Sequence, residues 1–384
     1  MRVNGFTLLY SLVAGLLFAS LPLSQVAVAS GANTNIEVLW SVDVDQRRPN
    51  SPAAYSAPTL VHTDKQTFIV IGGRDRWVHI YSLDGWEERR VALQGPVDSG
   101  ALALSNGWVV LADTAGRLYA IDPVQGNIVW KRQLTATFSG SPIAIGDDFL
   151  IQTTDNRLYR FSAQGEKRWS FSGQGSVLSM YLNPSPLVVG HEVYALFNNG
   201  DAIALKAISG DLLWKRQLLL NSESIVLSEL KAPLATPIFM PALHIAGEQS
   251  ENVLLMSFFQ GEILALNTQD GVQQLNLPIS IKSAPIHVEN TMFMADSHGF
   301  LYAYDIVQGT QLWKKRISNT ELTGPILWKN ALWLTDNQGT VFRLNQAGEV
   351  QATLNLEGSI NRLPLTTPEG LLIRTDRGAL YMIQ

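Results

Sequence analysis

The chain has 384 residues, of which 46% are hydrophobic and 16% charged, with a formal net charge of -5 and no cysteine. That is ample material for a core, and no charge excess points to a nucleic-acid partner. The missing cysteine excludes disulfides, thiolate metal sites, a thiol nucleophile and acylation on sulfur, and with it a lipid anchor.

The first element is a leader. Arg2 carries a positive charge, residues 6–23 are largely apolar, and Ala27-Val28-Ala29 offers the small residues a signal peptidase reads. The pattern predicts a signal peptide over residues 1–29, cleaved after Ala29, and a periplasmic or secreted mature protein. An uncleaved anchor is the alternative, because the apolar run is near the roughly 17-residue spanning minimum. Residues 30–36 form a linker. Residues 37–384 read as one domain.

That domain is built from a repeat. Its clearest copies are GRLYAIDPVQGNIVWKRQL (116–134), GDAIALKAISGDLLWKRQL (200–218) and GFLYAYDIVQGTQLWKKRI (299–317), with weaker ones at 156–171, 261–277 and 339–356. A period of roughly 40–45 residues made of short strands is the signature of a propeller blade. Each unit supplies four strands. The innermost often opens on a small residue and proline: Ala57-Pro58, Ser141-Pro142, Ser185-Pro186, Thr236-Pro237, Ala284-Pro285, Gly324-Pro325. Proline does least harm at a strand's first residue. Polar turns such as Asp113-Thr-Ala-Gly116 and Asn198-Asn199-Gly200 join the second strand to the third as hairpins.

Seven full sets fit between Ala57 and Gly358, and the tail supplies three further strands. The missing fourth lies at the other end, in the Trp-bearing segment 37–44. The expected fold is therefore all-β, an eight-bladed propeller closed by pairing the N-terminal strand into the C-terminal blade, which limits exposed sheet edges. Trp40, Trp130, Trp169, Trp214 and Trp313 hold one repeated position, which assigns them to packing between blades. Arg89, Leu275 and Ala352 replace tryptophan elsewhere, so those joints should pack differently. The Lys-Arg pairs after the tryptophans are read as charges guarding outer strand edges.

The repeat G-x-L-Y-A-x-D-x-x-x-G-x-x-x-W resembles the β-propeller repeat of the quinoprotein (pyrroloquinoline quinone) dehydrogenases and covers essentially all of residues 40–384. Within that superfamily the chain is most similar to the B subunits of the outer-membrane protein assembly (Bam) complex, through the WSVDV opening, the connection SIVLSELKAPLATP and the ending DRGALYMI. The resemblance implies a non-enzymatic periplasmic scaffold that meets the periplasmic domains of an assembly barrel through two neighbouring loops. That family carries an acylated cysteine, absent here, an arginine where this chain has Tyr181, and aspartates where it has Ala232 and Leu234. A related propeller with a different envelope partner, or one binding a quinone or other small molecule in its axial channel, therefore stays open.

No residues suggest catalysis, and no cofactor is expected. The adjacent pairs Asp147-Asp148 and Glu87-Glu88 point opposite ways on a strand and are read as solvated turn charges. The six histidines are scattered, without metal-ligand spacing. Two blade-to-blade connections are long, 173–183 and 219–235. They flank one blade, so they should be neighbours on one rim. Leu178, Met180, Tyr181 and Leu182 in the first, and Ile225, Leu227, Glu229 and Leu230 in the second, are the candidate partner-binding residues.

Overall fold

The computed structural model describes residues 35–45, 55–138, 140–175, 183–219, 231–243 and 251–384. They belong to the compact unit Thr34–Gln384. Eight four-stranded antiparallel sheets follow one another as the blades of a propeller. Blades 1 to 7 each use four consecutive strands; blade 2, for example, consists of Leu102–Ala103, Val109–Ala112, Arg117–Asp122 and Asn127–Gln133. Blade 8 consists of Leu365–Thr366, Leu371–Arg374 and Ala379–Ile383 with Val38–Asp43 on its outer side.

The burial of each strand follows from its place in this stack. A middle strand is covered on both faces by the neighbouring blades, so VVLA is buried throughout. The fourth strand is peripheral, and NIVWKRQ exposes all but its tryptophan. Apolar clusters lie between consecutive blades: Val78 and Ile80 of blade 1 meet Val109 and Leu111 of blade 2, and Tyr194 and Leu196 of blade 4 meet Leu254 and Met256 of blade 5.

The second–third turns of blades 2 and 6 share one hydrogen-bonding device. Asp113 Oδ1 accepts the backbone N–H groups of Ala115 and Arg117 at 3.0 Å, and its Oδ2 accepts the Tyr119 hydroxyl at 3.0 Å. Asp296 repeats this with His298, Phe300 and Tyr302. The carboxylate pins the turn, and the tyrosine of the LYA strand gains a partner for its buried hydroxyl. Gly116 follows at a φ of 75°, a conformation that side chains resist.

Around the axis the segments entering the innermost strands bond to one another as a belt. Gly100 N–H donates to Gly140 O, Ser141 N–H to Ser185 Oγ, and Gly324 N–H to Ser283 Oγ. A Cβ on Gly100 would come within 2.0 Å of Ser141 Oγ, so the belt requires small residues. In six blades the innermost strand begins directly after its proline, as at Ile143–Ile145. Blade 7 differs. Its strand Leu322–Trp328 already includes Pro325, because a register shift between Thr323 and Ile326 places the proline where the ladder asks for no N–H.

The ring closes between the two ends of the described unit. Trp40 is opposite Met382 and Asp43 opposite Ala379, and Glu37 and Gln384 exchange backbone hydrogen bonds of 2.9 Å. Just beyond this strand, Asp45 accepts the backbone N–H of Arg74 in blade 1 and the guanidinium of Arg374 in blade 8, each at 2.8 Å. Arg374 and Asp45 are both buried and 329 residues apart.

Candidate partner-binding rim and axial channel

Leu178, Met180, Tyr181, Leu182, Ile225, Leu227, Glu229 and Leu230 lie outside the described residues. The stems of their two connections are described, and both reach the turn 198–200 of blade 4. From the first connection, Gln174 O accepts the side-chain amides of Asn156 at 2.8 Å and Asn199 at 3.3 Å. From the second, Leu219 packs on Gly200, where a Cβ would meet its Cγ at 2.4 Å. Gln217 Nε2 donates to Asn199 O at 3.0 Å, and Gln217 Oε1 accepts Leu219 N–H. The far stem is tied to blade 5. Ala232 and Phe259 exchange backbone hydrogen bonds, and Lys231 Nζ donates to Glu262 Oε1 at 3.1 Å. Burial raises the Glu262 pKa, but hydrogen bonds from Asn276 and Lys231 outweigh it and hold the carboxyl below its ordinary range. Sequence reading took Asn199 and Gly200 only as a hairpin turn. Two asparagines ahead of the glycine, where other blades start their turn with aspartate, were the available signal.

Away from this rim the repeated tryptophans form the seams. Trp40, Trp130, Trp169 and Trp214 donate their indole N–H to Leu83, Ala163, Ala207 and Thr268 of the next blade's third–fourth turn, at 2.8 to 3.0 Å. Each ring lies against that turn's glycine, so a Cβ on Gly85, Gly165, Gly210 or Gly271 would intrude to within 2.9 Å. Trp313 covers Gly348 in the same way. Arg89 takes this place over Gly126 with its aliphatic stem, and Leu275 joins the apolar cluster between blades 5 and 6. Ala352 faces a blade with no third–fourth turn, because that position is where the described unit begins and ends; there is no loop for a large ring to cover. Some of the charges after the tryptophans do more than guard an edge. Arg132 lies over the Trp130 ring and donates to Gly165 O at 2.9 Å, and Lys315 over Trp313 donates to Ala347 O at 2.8 Å.

The carboxylate pairs also differ from expectation. Asp148 begins a strand and accepts Arg160 Nε at 2.8 Å. Glu87 begins another and bonds the buried His79 at 2.6 Å. Asp148 and Glu87 thus sit in strands with side-chain partners, whereas Asp147 lies in an exposed turn as expected.

On the axis a cavity of about 290 Å³ is lined by the belt, including Ser141, Ser185, Thr323, Lys282 and Arg362. No carboxylate is among the described residues that line it. Nor do the described residues anywhere form a cluster of three or more His, Cys, Asp or Glu side chains suited to a metal. A quinone held with calcium needs hard anionic oxygen ligands, and this donor set does not fit one.

The family model of the outer membrane protein assembly factor BamB matches residues 37–315. The chain belongs to this family. BamB of Bordetella pertussis is 23% identical over 279 residues, covering 71% of this chain and 69% of the relative. BamB of Escherichia coli strain K12 is 22% identical over 316 residues, covering 81% and 77%. In structure, BamB from Moraxella catarrhalis superposes with a TM-score of 0.75 at 16% identity, over 91% of this chain and 99% of that one. The quinohemoprotein alcohol dehydrogenase of Comamonas testosteroni reaches 0.69 at 13% identity, over 91% and 76%. The propeller is thus shared with assembly factors and with enzymes, and the likeness in structure speaks for the fold alone.

Proposed function

We propose that this chain is a non-enzymatic, protein-binding scaffold of the cell envelope that assists assembly of outer-membrane proteins. In this reading residues 1–29 are a signal peptide, 30–36 a linker whose last residue, Ile36, already packs against blades 7 and 8, and 37–384 the propeller, exported to the periplasm and held near the outer membrane by its protein partner. The partner docks on the rim of blade 4, through Leu178, Met180, Tyr181 and Leu182 of one connection and Ile225, Leu227, Glu229 and Leu230 of the other. The observation that carries the reading is the convergence of both stems on Asn199 and Gly200. Family membership supports the class of partner, since the relatives are named as assembly factors. A ring of eight interlocked sheets fixes the stems before binding, so less ordering entropy is lost on association. An extended partner could also pair with an exposed outer strand.

The test is a pull-down from envelope extract with Leu227→Asp and Leu230→Asp together. The expected outcome is loss of an outer-membrane assembly protein that the unaltered chain retains. Retention of every partner would remove these residues from the site, and capture of an unrelated envelope protein would redirect the function.

A further inference from the structure

The axial belt breaks its own pattern at two neighbouring points. Two residues before the innermost strand's proline, the blades carry Ser56, Gly140, Pro184, Ala235, Ser283 and Thr323. Blade 8 carries Arg362 there, and it lines the axial cavity. Lys282, from the segment entering blade 6, lines it too, and only 9% of its side chain is exposed. The cations are linked: Lys282 Nζ is 3.5 Å from Asn361 Oδ1, and Asn361 precedes Arg362.

Packing alone does not call for a lysine here. An ammonium has three donors, and its polar contacts are long, 3.3 Å to Glu321 Oε2 and the 3.5 Å to Asn361. Burial draws the Lys282 pKa down, while Glu321 and then Asp336 push it back up; the net is a value below the ordinary 10.5. Arg362 reaches the segments entering blades 1 and 2, donating from Nε to Tyr55 O at 2.7 Å and from an Nη to Asp98 O at 3.4 Å. That fixes the guanidinium at the cavity wall. Serine and threonine from other blades supply neutral donors around the same space. Lys282 has one carboxylate partner, Glu321 at 3.3 Å, and an ammonium with three donors keeps capacity for an anion in the cavity.

We propose that the axial cavity is a binding site for a small oxyanion, a polycarboxylate or a phosphate, held by Lys282 and Arg362 and the belt hydroxyls. Its volume is at the lower end of the ~300–1,000 Å³ of ligand pockets, which selects small anions. The cavity shares Asn183, Leu234 and Ala235 with the ends of the two long connections but none of the candidate partner-binding residues.

Isothermal titration calorimetry of the purified protein with citrate, with inorganic phosphate and with glucose tests this. Citrate or phosphate binds at one site per chain and glucose does not, and which anion binds tighter identifies the source. Added salt weakens the binding. Lys282→Gln weakens it about ten- to a hundredfold, the worth of a charge-assisted pair, and Lys282→Arg retains most of it. No binding of either anion, equal binding by Lys282→Gln, or affinity indifferent to salt would overturn the proposal. The salt dependence of the unaltered chain decides the matter even where Lys282→Gln fails to fold.

Discussion

The two joints that flank blade 8 are sealed by different chemistry. Towards blade 1 an apolar cluster that includes Ile69, Ile71, Leu372 and Met382 is latched by a polar network, which makes this the polar joint of the two. Asp45 bridges Arg74 and Arg374, Arg74 pairs with Asp98, His79 is held between Asp75 and Glu87, and Trp40 covers Gly85. Towards blade 7 the joint is apolar. Trp333 is buried and meets Trp328 edge-on at 5.7 Å within a cluster of Ile36, Ile360, Ile373 and Ile383. Trp328 then donates its indole N–H to Thr367 O of blade 8 at 3.0 Å. The difference teaches how a ring copes with an interrupted blade. Towards blade 1, where the usual turn exists, a fourth-strand tryptophan grips it; towards blade 7, where the turn is missing, tryptophans sit on the inner two strands of the neighbour.

The largest effects come from removing the centre of each joint. Arg374→Met leaves Asp45 buried without its guanidinium, and should cost about 3–5 kcal/mol. Trp333→Ala leaves a cavity in the apolar joint, with a cost of about 3–5 kcal/mol. Urea unfolding measures both. Adding Asp45→Ala to Arg374→Met should restore part of the loss, whereas nothing at the polar joint should rescue Trp333→Ala. Two independent, fully additive losses at Asp45 and Arg374 would deny the latch.

A smaller effect sharpens the role of the turn. Gly85 has a φ of 82°, and a Cβ there would lie 2.7 Å from the Trp40 ring. Gly85→Ala should therefore cost about 1–3 kcal/mol of backbone strain, read as a lower thermal midpoint. Combined with Trp40→Ala it should cost less than the two changes summed.

The smallest effect is a dependence on pH, confined to the polar joint. Burial lowers the His79 pKa, but hydrogen bonds to Asp75 and Glu87 and their charge outweigh it, so the value is raised above 6.5. A group bound more tightly to its proton in the folded state stabilises fully below the unfolded pKa, and the gain is lost as pH rises through the folded one. His79→Gln should thus be most destabilising in acid, with the difference from the unaltered chain shrinking above that pKa. Urea midpoints across this range check it; a constant gap would assign His79 to packing alone.

Much of this ring was legible before any coordinates. The strand around Trp40 matched the Trp-bearing fourth strand of the repeat, and a tail with three strands needed one more. Repetition made these features visible. What was not legible was mostly what occurs once. Asp45 and Arg374 are single charges 329 residues apart, and no local pattern couples them. Trp328 and Trp333 look like ordinary residues of an apolar strand, and only their meeting with the interrupted blade gives them a role. Pro325 resembled the other prolines by spacing, but a bulge changed its strand. The partner loops stood out as departures from the repeat in length; the stem contacts to Asn199 depend on which turn lies beneath them, which spacing does not encode.

Closure by two distant segments also imposes an order on biosynthesis. The Trp40 strand is among the first parts of the domain to leave the ribosome, and Ala379–Ile383, its only ladder partner among the described residues, is among the last. Until then a nascent ring keeps an open end with unpaired backbone groups at both edges. A chaperone that shields such edges would therefore have its longest engagement with this first strand, and a premature stop near Thr366 would release a chain that cannot shut.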